Sequence, residues 1–286
     1  MFPGDFPAIR LDQLALRSPD LPHENALAPP AMSRPAVLVT GGSQRIGAAI
    51  SRAFSEAGWH VIIHYHHSKA EAEDLAESMP YADAVQCDLS EGDDAVAMAT
   101  ALAAHHPDWR ALVNSASIFK PDDVTALDAE TNRQAMQINA RAPTRLAQAF
   151  LAQARSSKGR RVIQVTDQKL ANPNPDFFSY TMSKHALAAT IPMLAMGAAG
   201  PDDRIYGLAP GAILPSHDQS AQEAEISHRM NLLGRRTHVE EVADAAVFLA
   251  EGRLATGQTL FVDSGQHLLR QDRDVIYLAR QQMEAS

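Results

Sequence analysis

Tyr180 and Lys184 stand one helical turn apart in Tyr180-Thr-Met-Ser-Lys184, so on a helix both side chains leave the same face. A protonated amine beside a phenol favours the phenolate and lowers a pKa that starts at about 10, each unit being worth about 1.4 kcal/mol. Tyr180 is thereby expected to pass a proton close to neutral pH, a form of general acid help worth roughly 10²- to 10⁴-fold in rate. The same spacing also suits a solvated helix face. Asp167, upstream of the pair, narrows the chemistry. Reducing a ketone develops negative charge on oxygen, and a carboxylate beside it would repel that charge. Reducing a C=N bond places the new proton on nitrogen. A crowded carboxyl with a raised pKa can donate that proton or share it with Tyr180.

A second set of residues could hold a dinucleotide. Gly41, Gly42 and Gly47 in Thr40-Gly41-Gly42-Ser43-Gln44-Arg45-Ile46-Gly47 lie between a β-branched run and a helical one. Glycine there permits a tight turn and lets backbone approach a pyrophosphate at a helix amino end. An ordinary βα loop is the plainer reading of the glycines alone. The next strand closes in His64-Tyr65-His66-His67-Ser68-Lys69, without the Asp or Glu that would hold the ribose 2′-hydroxyl of NAD. Imidazoles, a hydroxyl and Lys69 suit a 2′-phosphate, so NADPH is expected over NADH, with His64, His66, His67 and Ser68 as contacts. His64 and His66 share a strand face and could instead hold a metal or form a solvated strand end. With no carboxylate or cysteine close by, no metal is assigned. Arg45 carries a planar fork that matches a phosphate or a substrate oxygen; otherwise it is a surface arginine on a first helical turn.

Together with Asn114-Ser115-Ala116-Ser117, the glycine turn and the Tyr-Lys pair resemble the short-chain dehydrogenase/reductase family over about residues 35–268. Four departures from its usual pattern are similar to the pteridine reductase branch. They are Asp167 in place of a serine, Arg45 at the middle glycine of Thr-Gly-x-x-x-Gly-x-Gly, Ser117 in place of a glycine, and the His-Tyr-His-x-Ser stretch. The resemblance implies that Asp88, with Leu89, holds the adenine, and that Ser43, Ile46, Asn114, Ser115 and Ala116 line the cofactor. It also implies that Lys184 binds the nicotinamide ribose and that Pro210, Gly211 and Ile213 border the nicotinamide amide. Asn139 matches a residue that positions water for proton relay; otherwise it is a buried polar residue bonding backbone. Phe119 matches an aromatic ring against which a pterin stacks, with Arg45 between cofactor and pterin, and could equally be core. Ser264 departs from a usual glycine. Members of the family pair into tetramers, so a homotetramer is expected.

These residues need a scaffold that brings them together. From Pro35 onward, short β-branched runs alternate with longer Ala-rich stretches, the pattern of βα units. Strands are predicted over 36–40, 60–65, 84–88, 111–114, 161–166, 204–208 and 259–262. The expected fold class is α/β: a Rossmann-type, doubly wound, seven-stranded parallel sheet with helices on both faces. Helix starts are signalled by Ser68-Lys-Ala-Glu71 and Ser90-Glu-Gly-Asp93, where hydroxyl and carboxylate can satisfy the free amides of a first turn. Gly58 is placed at the close of the first helix. Thr40, Asn114, Asp167 and Pro210 all follow strand ends, and in such a sheet ligands lie beyond those ends where strand order reverses.

The chain has 286 residues, 45% hydrophobic and 21% charged, enough to bury one large core. Residues 34–270 are read as a single reductase domain, residues 1–33, interrupted by six prolines from Pro3 to Pro30, as a disordered arm, and 271–286 as a tail. Met32 is a possible true start. Residues 217–230 are polar and acidic, which fits a mobile lid over the substrate or a solvated surface helix. The net charge of −9 disfavours nucleic acid, and no apolar run is long enough for a membrane. Cys87, the lone cysteine, rules out an intrachain disulfide, fits a reducing cytosol and is expected to pack at a strand end. The reading that follows is NADPH-dependent reduction of a dihydropterin to a tetrahydropterin, of the dihydromonapterin or dihydrobiopterin kind. An NADPH-dependent carbonyl reductase acting on 3-oxoacyl groups is the alternative enzyme. A cofactor-binding regulator with residual chemistry is the alternative outside catalysis.

Overall fold

The computed structural model describes residues 34–216 and 218–285; the arm expected over 1–33 lies outside the described residues. Seven strands form: β1 Ala36–Thr40, β2 His60–Tyr65, β3 Ala82–Gln86, β4 Trp109–Asn114, β5 Arg161–Val165, β6 Arg204–Pro210 and β7 Thr259–Val262. They make one parallel sheet in the order β3-β2-β1-β4-β5-β6-β7. The direction of winding reverses between β1 and β4, which opens a crevice at their carboxyl ends.

Among the described residues nine α-helices form: α1 Arg45–Glu56, α2 Lys69–Glu77, α3 Gly92–His105, α4 Ala129–Met136, α5 Ala142–Gln153, α6 Phe178–Gly197, α7 Ala221–Ser227, α8 Val239–Ala250 and α9 Val275–Glu284. Because successive strand residues point to opposite faces, β1, β2, β4, β5 and β6 each serve two cores. Ala36, Leu38 and Ile62 pack with Met98 and Leu102 of α3 and with Leu146 and Phe150 of α5. Val37, Val39 and Ile63 pack with Ile50 and Phe54 of α1 and with Val242 and Ala246 of α8. This double burial explains the near-continuous apolar strands. Each such side chain contributes roughly 1.5–3 kcal/mol relative to exposure.

The sheet is as predicted, with local differences. β3 begins and ends two residues earlier than expected, and Cys87 follows its end, buried, its N–H bonded to the Tyr65 carbonyl at 3.1 Å. Neither capping box forms: Ser68 precedes α2 without a side-chain cap, and α3 starts later, with Glu91 at its cap. Ser90 is drawn away because its N–H turns back to Asp88 Oδ1 at 2.8 Å. Gly58 does close α1, in the left-handed region at φ +82°. Ser264, at the position where a glycine was expected, takes φ +53°. Residues 275–284, beyond the family match, form α9, whose Val275, Ile276 and Ala279 are buried. Residues 221–227 form α7, with a Ser220–Glu223 capping box. Arg280 of α9 holds Glu223 at 2.7 Å and Asp218 at 3.0 Å.

Candidate active site

The glycine turn is defined by atoms that have no room to exist. A Cβ on Gly47 would sit 2.0 Å from the Gly41 carbonyl oxygen, and one on Gly41 would sit 3.0 Å from Ala116 Cα. Gly41 also needs φ +60°, a conformation glycine adopts freely. Thr40 Oγ1 accepts from the N–H groups of Ser115 at 3.0 Å and Ala116 at 3.1 Å, which clamps the β1 and β4 ends side by side. Asn114 Nδ2 donates to Gln164 Oε1 at 2.9 Å and to the Pro143 carbonyl at 3.2 Å. Its Oδ1 is buried with no partner. Ser43, Gly47 and Leu89 are buried and Ile46 half-buried around this turn. Arg45, at φ +52°, is exposed and spans the cleft, its Nη2 donating to the Pro215 carbonyl at 2.8 Å.

The histidine stretch divides. His64 is 2% exposed; its Nδ1 accepts from the Gly41 N–H at 3.1 Å and its Nε2 contacts the Cys87 carbonyl at 3.0 Å. Burial lowers its pKa to about 4, so the ring is neutral. With both nitrogens committed to backbone it has none to offer a phosphate, and His64 is corrected from a 2′-phosphate contact to a strut under the glycine turn. His66 and His67 lie at the surface, ring centroids 3.6 Å apart, with His66 Nε2 3.4 Å from Asp88 Oδ2. Burial opposes ionisation of Asp88, but the Ser90 hydrogen bonds and the two histidines outweigh it and hold its pKa below the usual value. Ser68 is half-buried beside them.

Across the crevice, Tyr180 Oη donates to Asp167 Oδ2 at 2.7 Å. Asp167 follows β5, and its other oxygen accepts from the Lys169 N–H at 2.8 Å. Burial raises the Asp167 pKa, against the pull of Lys169, its N–H and Tyr180. Burial and then the Asp167 charge push Tyr180 well above 10. This reverses the expected direction: Lys184 Nζ is 5.6 Å from the Tyr180 ring centre and donates to the Val165 carbonyl at 2.8 Å. Burial lowers Lys184 to about 8, with Asp167 pulling the other way.

Asn139 sits in a π-helical turn, Gln137–Arg141, between α4 and α5. Its side chain brackets Ile118, accepting from the N–H at 2.8 Å and donating to the carbonyl at 2.9 Å, and also reaches Ser183 Oγ at 3.0 Å. It thereby fixes the segment carrying Ser117, which is exposed, and Phe119. Phe119, 39% exposed, stacks on Phe177 at 4.0 Å and meets Tyr180 edge-on at 4.7 Å. Pro210 and Ile213 are buried and Gly211 is half-buried at the β6 end.

A family model described as enoyl-(acyl carrier protein) reductase, adh_short_C2, matches residues 41–267. The chain belongs to the short-chain dehydrogenase/reductase family. Pteridine reductase 1 of Leishmania tarentolae is 28% identical over 281 residues, covering 82% of this chain and 97% of its own. Dihydromonapterin reductase of Citrobacter koseri is 26% identical over 234 residues, covering 81% and 96%. The crystal structure of FolM alternative dihydrofolate reductase 1 from Brucella canis, complexed with NADP, superimposes with a TM-score of 0.78 at 32% identity over 85% of this chain and 97% of that one.

Within this short-chain reductase, several residues at the acid side escaped sequence reasoning. Lys169, 5% exposed on its side chain, pairs with Asp274 at 2.7 Å, and its Nζ also donates to Asn174 Oδ1 and the Asp176 carbonyl. Phe177 caps α6 at φ +53° and packs between Phe119 and Tyr277 of α9. Backbone strain of this kind, of order 1–3 kcal/mol, gathers at functional sites. The Phe177-Phe178 pair just before Tyr180 was a usable sign of an aromatic wall. Nothing local in the sequence marks Lys169 as buried, because its partner Asp274 caps α9, far along the chain. Among the described residues no helix is long and apolar enough to cross a membrane.

Proposed function

We propose that this oxidoreductase reduces a dihydropterin to a tetrahydropterin with NADPH. The observation that carries the reading is the carboxyl of Asp167 hydrogen-bonded at 2.7 Å to Tyr180, with its pKa raised by burial, beside the exposed ring of Phe119. The cradle fits a dinucleotide. Glycines stand where a Cβ would collide, and the unpartnered Asn114 Oδ1 offers a buried acceptor. His66, His67 and Ser68 at the end of β2 are the residues to meet a 2′-phosphate, and Lys184 to meet the ribose next to the nicotinamide. When bound, NADPH supplies the hydride.

The chain's own part is protonation and placement. Asp167, its pKa raised by burial, in its protonated form can give its proton to an acceptor nitrogen above it, becoming the carboxylate that the Tyr180 hydroxyl steadies at 2.7 Å until a proton from solvent replaces the one transferred. A ketone oxygen gains nothing from a carboxylate neighbour, whereas a ring nitrogen needs the proton that this acid carries. Phe119 gives a flat heterocycle a face to stack on, its edges turned to Arg45 and Ser117. As in the family, a homotetramer and a cytosolic enzyme are the expected setting; light scattering of the purified chain checks the former.

The test is NADPH oxidation against a panel of dihydropterins, dihydrofolates and 3-oxoacyl thioesters, with the parent chain and Asp167→Ser. Turnover of dihydropterin is expected, lowered by at least about 10²-fold in the variant. Unchanged pterin turnover in Asp167→Ser, or turnover of 3-oxoacyl substrates alone, overturns the reading.

A further inference from the structure

The opposite end of the sheet carries a second cluster that the reductase chemistry does not use. His60 opens β2, Asp83 lies at the start of β3, and His106 directly follows α3. The register pairs Val61 with Ala82 and Ile62 with Asp83. Side chains alternate along a strand, so His60 and Asp83 are diagonal neighbours on the face that Ile62 shares with α3. The carboxyl end of α3 then delivers His106 onto that face. His60 Nε2 is 2.7 Å from Asp83 Oδ2, and the two imidazole rings have centroids 5.0 Å apart. One ligand atom from each residue lies within 4.8 Å of the others. No other group of three or more His, Cys, Asp or Glu among the described residues meets that distance.

We propose that His60, Asp83 and His106 bind a divalent transition-metal cation of the zinc type, with an open fourth position at the surface. Two imidazoles and one carboxylate are a common donor set for such ions, with bonds of roughly 2.0–2.2 Å in tetrahedral sites. Ligand atoms in that geometry are about 3.4 Å apart, so the observed separations bracket the bound arrangement and small side-chain rotations reach it. His106 Nε2 is buried and has no hydrogen-bond partner, a costly state for a nitrogen lone pair unless something binds it. The end of α3, whose last carbonyls carry partial negative charge, adds a favourable field for a cation.

The ion would tie β2, β3 and α3 together at the end of the sheet remote from Asp167. Its function there is to stabilise the fold by linkage: an ion held only by the folded chain raises stability with its concentration. This inference is independent of the pterin reading, because no group in the cluster faces the crevice.

The test uses the full-length, tag-free, chelator-treated protein, with His66→Ala/His67→Ala prepared separately as a control for zinc held by that stacked histidine pair. Zn²⁺ is titrated in competition with a chromophoric chelator, and Co²⁺ binding is followed by its visible absorption. One equivalent of saturable Zn²⁺ binding, a Co²⁺ spectrum of four-coordinate intensity and a higher Tm with Zn²⁺ are expected. His106→Gln and, separately, Asp83→Asn should each weaken binding at least tenfold while leaving NADPH affinity unchanged, which also shows that these variants are folded. Zn²⁺ affinity equal in the parent and both variants, or no saturable binding in the parent, overturns the proposal.

Discussion

The two walls of the crevice are built on opposite principles. The turn at the β1 end is shaped by absent atoms: Gly47 and Gly41 leave no space for a side chain, and Thr40 stitches backbone to backbone. The wall after β5 is shaped by buried ionisable groups, with Tyr180, Lys184 and Lys169 gathered about Asp167. The cradle's imidazole strut, His64, stays neutral down to about pH 4, so this wall keeps its shape near neutrality. A set of coupled acids and amines has a shape and a charge that depend on where one proton sits. The first wall is suited to gripping a ligand common to many enzymes and the second to selecting a reaction.

The largest effect should come from breaking the first wall. Gly47→Val forces a side chain onto the Gly41 carbonyl, where even a Cβ has 2.0 Å. The turn must move, at a cost of at least about 4 kcal/mol, or a thousandfold in affinity. NADPH fluorescence titration should therefore find no binding near the parent's range, and near-parent affinity would show that the turn is softer than its packing indicates. Tyr180→Phe comes next and should divide the two walls cleanly. The phenol oxygen bonds Asp167 and no group of the glycine turn, so NADPH affinity should hold while kcat drops by roughly 10²- to 10⁴-fold. A parallel loss of cofactor affinity in stopped-flow binding would mean that the walls are not separable.

The third test concerns pH. Lys169 lowers the Asp167 pKa against burial, so removing its charge in Lys169→Met should raise that pKa further. The protonated carboxyl is the donor in the proposed reaction; turnover therefore falls as pH rises through its midpoint, and the variant's limb should lie at higher pH than the parent's. Lys169→Arg, which keeps the charge, should restore the limb. The Asp274 carboxylate, 8% exposed and left unpaired, costs Lys169→Met about 3–5 kcal/mol of stability, so urea unfolding must confirm that the variant is folded at assay temperature. A pH profile that does not move while stability falls would make Lys169 a structural residue only.

The contrast between the walls also governs how much could be read from the chain. Seven strands, their doubly wound parallel sheet and the glycine turn were legible, because double burial gives continuous apolar runs and a tight turn demands glycine at fixed places. Asp167 was legible as a departure from a resembled pattern. What stayed hidden depended on partners distant in sequence. His64 was assigned by its neighbours His66 and His67, yet it lies inside β2, covered on both faces and bonded to Gly41 and Cys87, whereas His66 and His67 follow the strand's end. The direction of the Tyr180 shift was missed because spacing puts Lys184 on the same helix face but shows neither the burial nor the Asp167 charge that push the phenol up, nor that Lys184 bonds the Val165 carbonyl. The α9 contribution was missed because residues beyond 269 match no motif, although Asp274 and Tyr277 hold the loop beneath the acid wall.

The smallest predicted effect tests how far the first wall reaches. If backbone alone grips the cofactor, the surface pair His66 and His67 should matter only for the 2′-phosphate. His66→Ala removes one imidazole whose other contact is Asp88 at 3.4 Å. A partly exposed charge-assisted contact is worth about 1 kcal/mol or less, so NADPH should bind up to about fivefold more weakly and NADH should be unchanged. The ratio of the two affinities, measured at fixed ionic strength, isolates that contact from any general loosening of the turn. An equal loss for both cofactors would assign His66 to the adenine side with Asp88. No loss for either would leave His67, Ser68 and Lys69 as the groups that read the phosphate.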